Sequence, residues 1–493
     1  MQLRRKMMSM GLLVFMLNIG TTATSQPVLK PGKLTCEYRL NPLGIDIAKP
    51  ELSWTLVSGE RNQQQSAYEL LVSDNKNDIL HLRGNVWQTG KIKSDQSLHI
   101  WYEGKPLKSF TRYFWRVRTY DQDGKVSPWS EAQWFETAML HPSDWQAKWI
   151  GEGNKQVTKE EDFYKDDPMP LFQKLFHTSK KVASARLYIC GLGYYEAYIN
   201  GEKVGDHMLD PGWTNYEKQN LYAVYDITKY IRQGTNVAGV MLGNGWYDLL
   251  PLRMWGSRNL REALVTGSPC LKAQLRITYA DGSVTTSGTD ETWQTMPGPV
   301  IRNSVYLGEH YDARLEQQGW SEPSITPGKL RNLKNAVIVK GPSGMLTAQI
   351  QPPIKITKVV HPVGVREPAP GVYVFDMGQN FAGVARIHVQ GPAGTTVRLR
   401  YGEDKYPDGN INVMTSVAGQ IKKGNGGPGA PGIAWQEDNY ILKGSGVETW
   451  SPRFTFHGFR YVEVTGWPGK PALRDIEGLR MNADVEQAGT FTS

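Results

Sequence analysis

"ARLYICGLGYYEAYING", residues 185–201, decides the fold. Apolar and aromatic side chains alternate with small or polar ones along it, and it closes on Asn200-Gly201. A period of two belongs to an extended strand, and Asn-Gly is turn chemistry. The pattern returns in "YFWRVRTY" (113–120), "LKAQLRITYADGS" (271–283) and "TTVRLRYGE" (395–403), each followed by Gly, Asp or Asn. With 51 Gly, 29 Pro, 16 Trp and 23 Tyr, the chain reads as all-β, built of tandem β-sandwiches.

Three segments separate. Residues 30–138 place Trp54 and Trp115 in strands and end on "DQDGKVSPWSE" (121–131), a turn into a last strand; this resembles a fibronectin type III domain. A Trp-rich hinge, "SDWQAKWIGEG" (143–153), opens a second segment, 143–335. Within it "KEEDFYKDDPMP" (159–170) holds five carboxylates, read as a solvated loop because like charges in a run repel. The third segment, 340–485, repeats the alternation around "VAGQIKKGNGGPGAPG" (417–432), whose Gly and Pro content predicts a mobile surface loop.

Arg4, Arg5 and Lys6, the apolar run Met7–Ile19 and the small residues Ala23-Thr24-Ser25 predict a signal peptide over 1–25 and a chain exported to the periplasm or the cell surface and beyond. No later stretch approaches the 18 or so apolar residues of a membrane span. The net charge of +8 includes three basic leader residues, and the remaining Lys and Arg are scattered, which excludes a nucleic-acid footprint. Three cysteines, Cys36, Cys190 and Cys270, give no disulfide framework and predict buried free thiols.

Longer strings fall in one order: "GYYEAYINGEKVGDHMLDPGWTNYEKQNLYAVYDITKYI" (193–231), "LGNGWY" (242–247), "GEHYDAR" (308–314) and "FDMGQNFAGVARIHVQGPAGTTVRLRYGE" (375–403). Together with the fibronectin-like segment, they resemble the bacterial α-L-rhamnosidases, inverting glycoside hydrolases. The resemblance implies a sandwich related to galactose-binding modules, a second, concanavalin-like sandwich, and then an (α/α)₆ barrel that hydrolyses terminal α-L-rhamnose from glycosides or polysaccharides. Residues 486–493, in "ADVEQAGTFTS", look like the approach to that barrel, whose Asp-Glu-Arg-x-Gly-Trp string does not occur here. A dozen amphipathic helices are also missing from the periodicity. No catalytic residue is therefore nominated. Two accounts stay open: a chain that stops short of the barrel and is inactive alone, or association with a separate helical catalytic chain. A stand-alone rhamnose- or polysaccharide-binding protein of adhesin type is the rival from another class.

What remains is binding of a rhamnose-containing glycan by the second segment. Family members include sandwiches that hold rhamnose through calcium, a cation that takes six to eight oxygens from loops. Asp210, Asn215, Asn244 and Asp248 offer oxygens for such an ion. Asp210, Trp213, Asn215, Asn244, Trp246 and Tyr247 are the sugar-binding candidates, with rings for a sugar's C–H face. The competing reading makes Pro211-Gly212 and Asn244-Gly245 simple turns and the tryptophans plugs. In "GEHYDAR", alternation sets Glu309 and Asp312 on opposite faces, favouring a structural or docking role. His457 reads as a hydrogen-bonded core group, and Asp376, Gln379 and Asn380 as a strand-end turn.

Overall fold

The computed structural model describes residues 29–153, 157–254, 257–325 and 327–492; the leader expected at 1–25 lies outside the described residues. Among these, the two α-helices, Lys76–Leu80 and Leu260–Ala263, have five and four residues. Everything else of regular form is strand or single 3₁₀ turns. The chain separates into two compact units. One takes the described residues up to Leu40 with Glu51–Lys105 and Tyr113–Trp134; the other takes Asn41–Pro50, Pro106–Arg112 and all from Phe135 onward.

In the first unit, Lys30–Cys36, Glu51–Val57 and Ile100–Trp101 form an antiparallel sheet. Gln65–Ser73 pairs antiparallel with Arg112–Asp121. Along Arg112–Asp121 buried positions fall at every second residue, so Tyr113, Trp115, Val117 and Thr119 share one face. Trp54 and Trp115 are wholly buried, and the Trp54 indole N–H donates to Gln65 Oε1 at 3.0 Å. Truncating either ring to Ala would cost about 3–5 kcal/mol.

In the second unit a seven-stranded sheet carries Val182–Leu192 between Cys270–Tyr279 and Gln219–Asp226. A six-stranded sheet carries Pro170–Thr178 between Gly234–Leu242 and Gln294–Pro297, with Tyr195–Ile199 beyond Gly234–Leu242. Phe172, Leu187, Ile189, Ala197, Val240 and Trp293 belong to one core. Tyr188, Cys190 and Leu192 face the other way, into a layer with Tyr216, Tyr222, Tyr247 and Cys270. Ala185–Leu192 is thus buried on both faces rather than half wet. The expected hinge at 143–153 belongs to this cover. Trp145 stands edge-on to Tyr222, ring centroids 5.2 Å apart, and Ile150 pairs with Leu271 and Ile338. Its rings are held because they shield apolar sheet from water.

A ten-stranded sheet is organised on the 19-residue strand Val372–Gln390. That strand pairs with His457–Thr465, with a register shift between Asp376 and Phe381, and with Ile476–Ala483. Asp376, Gln379 and Asn380 therefore lie at an irregularity inside a strand, not at a strand end; Gly378 there takes φ +74°, a conformation that glycine accepts without strain. Sheet membership also crosses the expected limits of 143–335 and 340–485. Gly308–Asp312 joins the ten-stranded sheet, parallel to Glu437–Ile441, while Met345–Ala348 joins the seven-stranded one, parallel to Gln219–Asp226. The Gly-rich segment 417–432 is docked rather than loose. Ile421 is wholly buried, Ala434 just beyond it likewise, and the Arg253 N–H donates to the Gly426 carbonyl at 2.9 Å.

Candidate functional site

Loops on either side of the strands Gln219–Asp226 and Gly234–Leu242 carry the nominated residues, and what they bring together is aromatic. Trp213 stacks on Trp246 with centroids 4.2 Å apart and planes 10° apart. Tyr306 braces Trp246 edge-on at 5.6 Å. Trp213 is 50% exposed. An indole face backed by a second ring is a flat, stiff apolar platform, the surface on which a sugar's C–H face packs.

Tyr247 does not join it. It is buried edge-on to Tyr216 at 5.1 Å, and burial pushes its hydroxyl pKa up. Asp210 is also internal: Oδ2 accepts the Tyr225 hydroxyl at 2.9 Å and lies 2.6 Å from His207 Nδ1, and Oδ1 accepts from Gln349 Nε2 at 3.0 Å. Asn215 is exposed and closes its own turn, accepting the Glu217 N–H at 3.0 Å. Asn244 donates its backbone N–H to Asn303 Oδ1 at 2.8 Å and its Nδ2 to the Asn303 carbonyl at 3.0 Å, while its Oδ1 is buried with no donor. Asp248 pairs with Arg261 Nη1 at 2.6 Å.

These four do not fit the expected calcium ion. Such an ion needs six to eight oxygens converging on one point. Asp210 is engaged by three donor groups, Asn215 serves a separate turn, and a guanidinium already occupies Asp248. Among the described residues no three His, Cys, Asp or Glu side chains gather where a metal would sit.

Asn244 and Asp248 instead line a cavity of about 260 Å³ with Asp162, Phe163, Arg261 and Arg302. Sequence reasoning missed the last four. The acidic loop that reads as solvated is half folded in: Glu160 pairs with Arg253 at 3.0 Å and Tyr164 is buried. Pairs 93 residues apart leave no signature in spacing.

The other motifs are structural. Glu309 is wholly buried, its Oε2 accepting the N–H groups of Arg453 at 3.0 Å and Phe454 at 2.9 Å. Asp312 binds Arg314 at 2.7 Å, so the two acids serve different partners. His457, also wholly buried, has Nε2 2.9 Å from Asp438 Oδ2 and Nδ1 3.0 Å from Gln436 Oε1. It is a core group.

Comparison with known proteins bears on what the site serves. Residues 31–141 match the Rha78A-like N-terminal immunoglobulin domain, 180–358 the α-L-rhamnosidase N-terminal domain, and 366–482 the bacterial α-L-rhamnosidase concanavalin-like domain. An α-L-rhamnosidase of Formosa agariphila is 34% identical over 495 residues, taking in 97% of this chain and 50% of the relative. The solved α-L-rhamnosidase of Dictyoglumus thermophilum is 40% identical, with a TM-score of 0.82 over 93% of this chain and 49% of that one. That of Streptomyces avermitilis, solved with L-rhamnose, is 29% identical with a TM-score of 0.80, over 92% of this chain and 57% of the other. The chain spans about half the length of the curated relatives it matches. With three family domains in order along it, the chain belongs to the bacterial α-L-rhamnosidases.

Proposed function

We propose that this chain is the carbohydrate-contacting N-terminal part of an exported α-L-rhamnosidase, an enzyme that releases terminal α-L-rhamnose from glycosides or polysaccharides. One observation carries the reading: three rhamnosidase domains follow one another in a chain of which 97% aligns, at 34% identity, with half of such an enzyme. Inverting hydrolysis needs an acid and a base about 6.5–9.5 Å apart across an open cleft. Glu309 and Asp438 are locked in the core, where no substrate reaches them, and in the open cavity Asp248 is held by Arg261 and Asp162 by Lys165. These domains by themselves hydrolyse nothing, and rhamnose docks on the Trp213–Trp246 platform.

Two measurements on the purified chain test this. An assay with an α-L-rhamnoside should stay at background, and calorimetry with L-rhamnose should register binding that is unchanged by a chelator. Turnover, or the absence of binding heat, sinks the corresponding half of the reading. Export is checked by mass spectrometry of the secreted product, whose first residue should be Gln26.

A further inference from the structure

Lys272 is an amine without an acid. Its neighbour Leu271 on Cys270–Tyr279 enters the inner core, so Lys272 and Gln274 point the other way, onto the face that carries Tyr188 and Cys190. Lys272 lies opposite Cys190 in register, and Gln274 opposite Tyr188. Gln274 latches the covering segment to this face. Its Oε1 accepts the Gln146 N–H at 2.7 Å, and its Nε2 donates to the Asp144 carbonyl at 3.0 Å. Trp145, between those two residues, is thereby fixed, and Lys272 Nζ lies over its ring, 5.4 Å from the centroid.

Among the described residues neither a carboxylate nor a hydrogen-bond acceptor pairs with this amine. Lys148, Lys180, Lys203, Lys334 and Lys443 of the same unit each reach an acid. The titratable groups of the surrounding layer, Tyr188, Cys190, Tyr222, Tyr247 and Cys270, are held protonated and neutral by burial. The indole alone favours the ammonium, and burial outweighs it, lowering the Lys272 pKa. Yet Lys272 is only half-buried, and its Nζ, unlike the Tyr222 hydroxyl, is not sealed from solvent. An amine kept uncharged on an apolar wall is in its nucleophilic form.

We propose that Lys272 is a covalent capture site for small aldehydes, which condense with its amine beside the Trp145 ring. The Nζ lone pair adds to the carbonyl carbon, the carbonyl oxygen leaves as water with both N–H protons, and a C=N bond remains. No oxidant or reductant takes part. The imine carries no charge, which suits a wall that disfavours the ammonium. The site owes nothing to the carbohydrate reading above and uses neither ring of the platform.

Brief reaction of the whole 493-residue chain with glycolaldehyde and cyanoborohydride, which fixes the imine as a stable amine, tests this by peptide mass spectrometry. At about pH 7 Lys272 should be modified about 10-fold faster than Lys148 and Lys180, which are exposed and paired with acids. The ratio should shrink toward about pH 10, where those lysines lose their protons too. Lys272→Arg should remove that labelled peptide and no other. Trp145→Ala, which opens the amine to water, should bring the rate down to that of the two reference lysines. Equal rates at neutral pH, or a ratio that stays constant across the range, overturns the site. So does an advantage that survives in folded Trp145→Ala. Where Trp145→Ala does not fold, the wild-type ratio across pH decides alone.

Discussion

Glu309 and Arg453 tie two sheets together from inside. Glu309, on Gly308–Asp312 of the ten-stranded sheet, accepts the Arg453 N–H at 3.0 Å. The Arg453 guanidinium reaches Glu196 Oε2 at 3.3 Å, on Tyr195–Ile199 of the six-stranded sheet. Glu309 Oε1 is left without a donor.

That geometry sets a pH dependence. Burial raises the Glu309 carboxyl from its ordinary 4.5 to about 7, against the opposing pull of Arg453. The folded chain keeps this proton in a range where the unfolded chain has released it, so stability is full below 4.5 and declines as pH rises through 7. Glu309→Gln, neutral throughout, should flatten that decline. Urea midpoints across the window check it; an equal slope in the variant contradicts the assignment.

Trp213→Ala should separate binding from folding. The ring is half exposed, and its stack on Trp246 is worth about 0.5–1.5 kcal/mol, so the melting temperature should move little. L-rhamnose affinity should fall about 10-fold or more, since an aromatic anchor contributes most of such a contact. Paired calorimetry and thermal melts give both quantities.

His457→Ala should behave in the opposite way. Removing the imidazole strands Asp438, which also accepts the Tyr401 hydroxyl at 2.5 Å, and leaves a hole beside a Tyr401 ring that had stacked on it at 4.0 Å. Breaking a buried pair of this kind costs about 3–5 kcal/mol. Urea unfolding should show the loss, with L-rhamnose affinity of the folded fraction unchanged.

The three thiols should be silent until the chain unfolds. Cys36, Cys190 and Cys270 are free and buried, and burial holds each pKa above the ordinary thiol value. The thiolate is the reacting species. Mass spectrometry after brief alkylation should count none modified in the native chain and three in denaturant.

Much of the architecture was legible because it is local. The alternation in "YFWRVRTY" returns as alternating burial from Tyr113 to Thr119, and the lone His457 among aromatics is the core group its surroundings imply. The site was less so. Trp213 and Trp246 were found by residue type, and the structure stacks them; Tyr247, one residue further on, went into the core. Asp210 and Asp248 look alike in one dimension. One faces His207, Tyr225 and Gln349, the other Arg261, and of these partners all but His207 lie 13 or more residues away.

Side-chain order along the chain was enough to establish strands, turns and family, because a period of two and a Gly or Asn turn are properties of a few neighbouring residues. Which carboxylate is neutralised, which carbonyl lacks a donor, and whether a Gly-rich run moves or packs were settled only when distant segments met. Burial changes the energy of a polar group by several times thermal energy, and burial is set by contacts across the fold rather than along it.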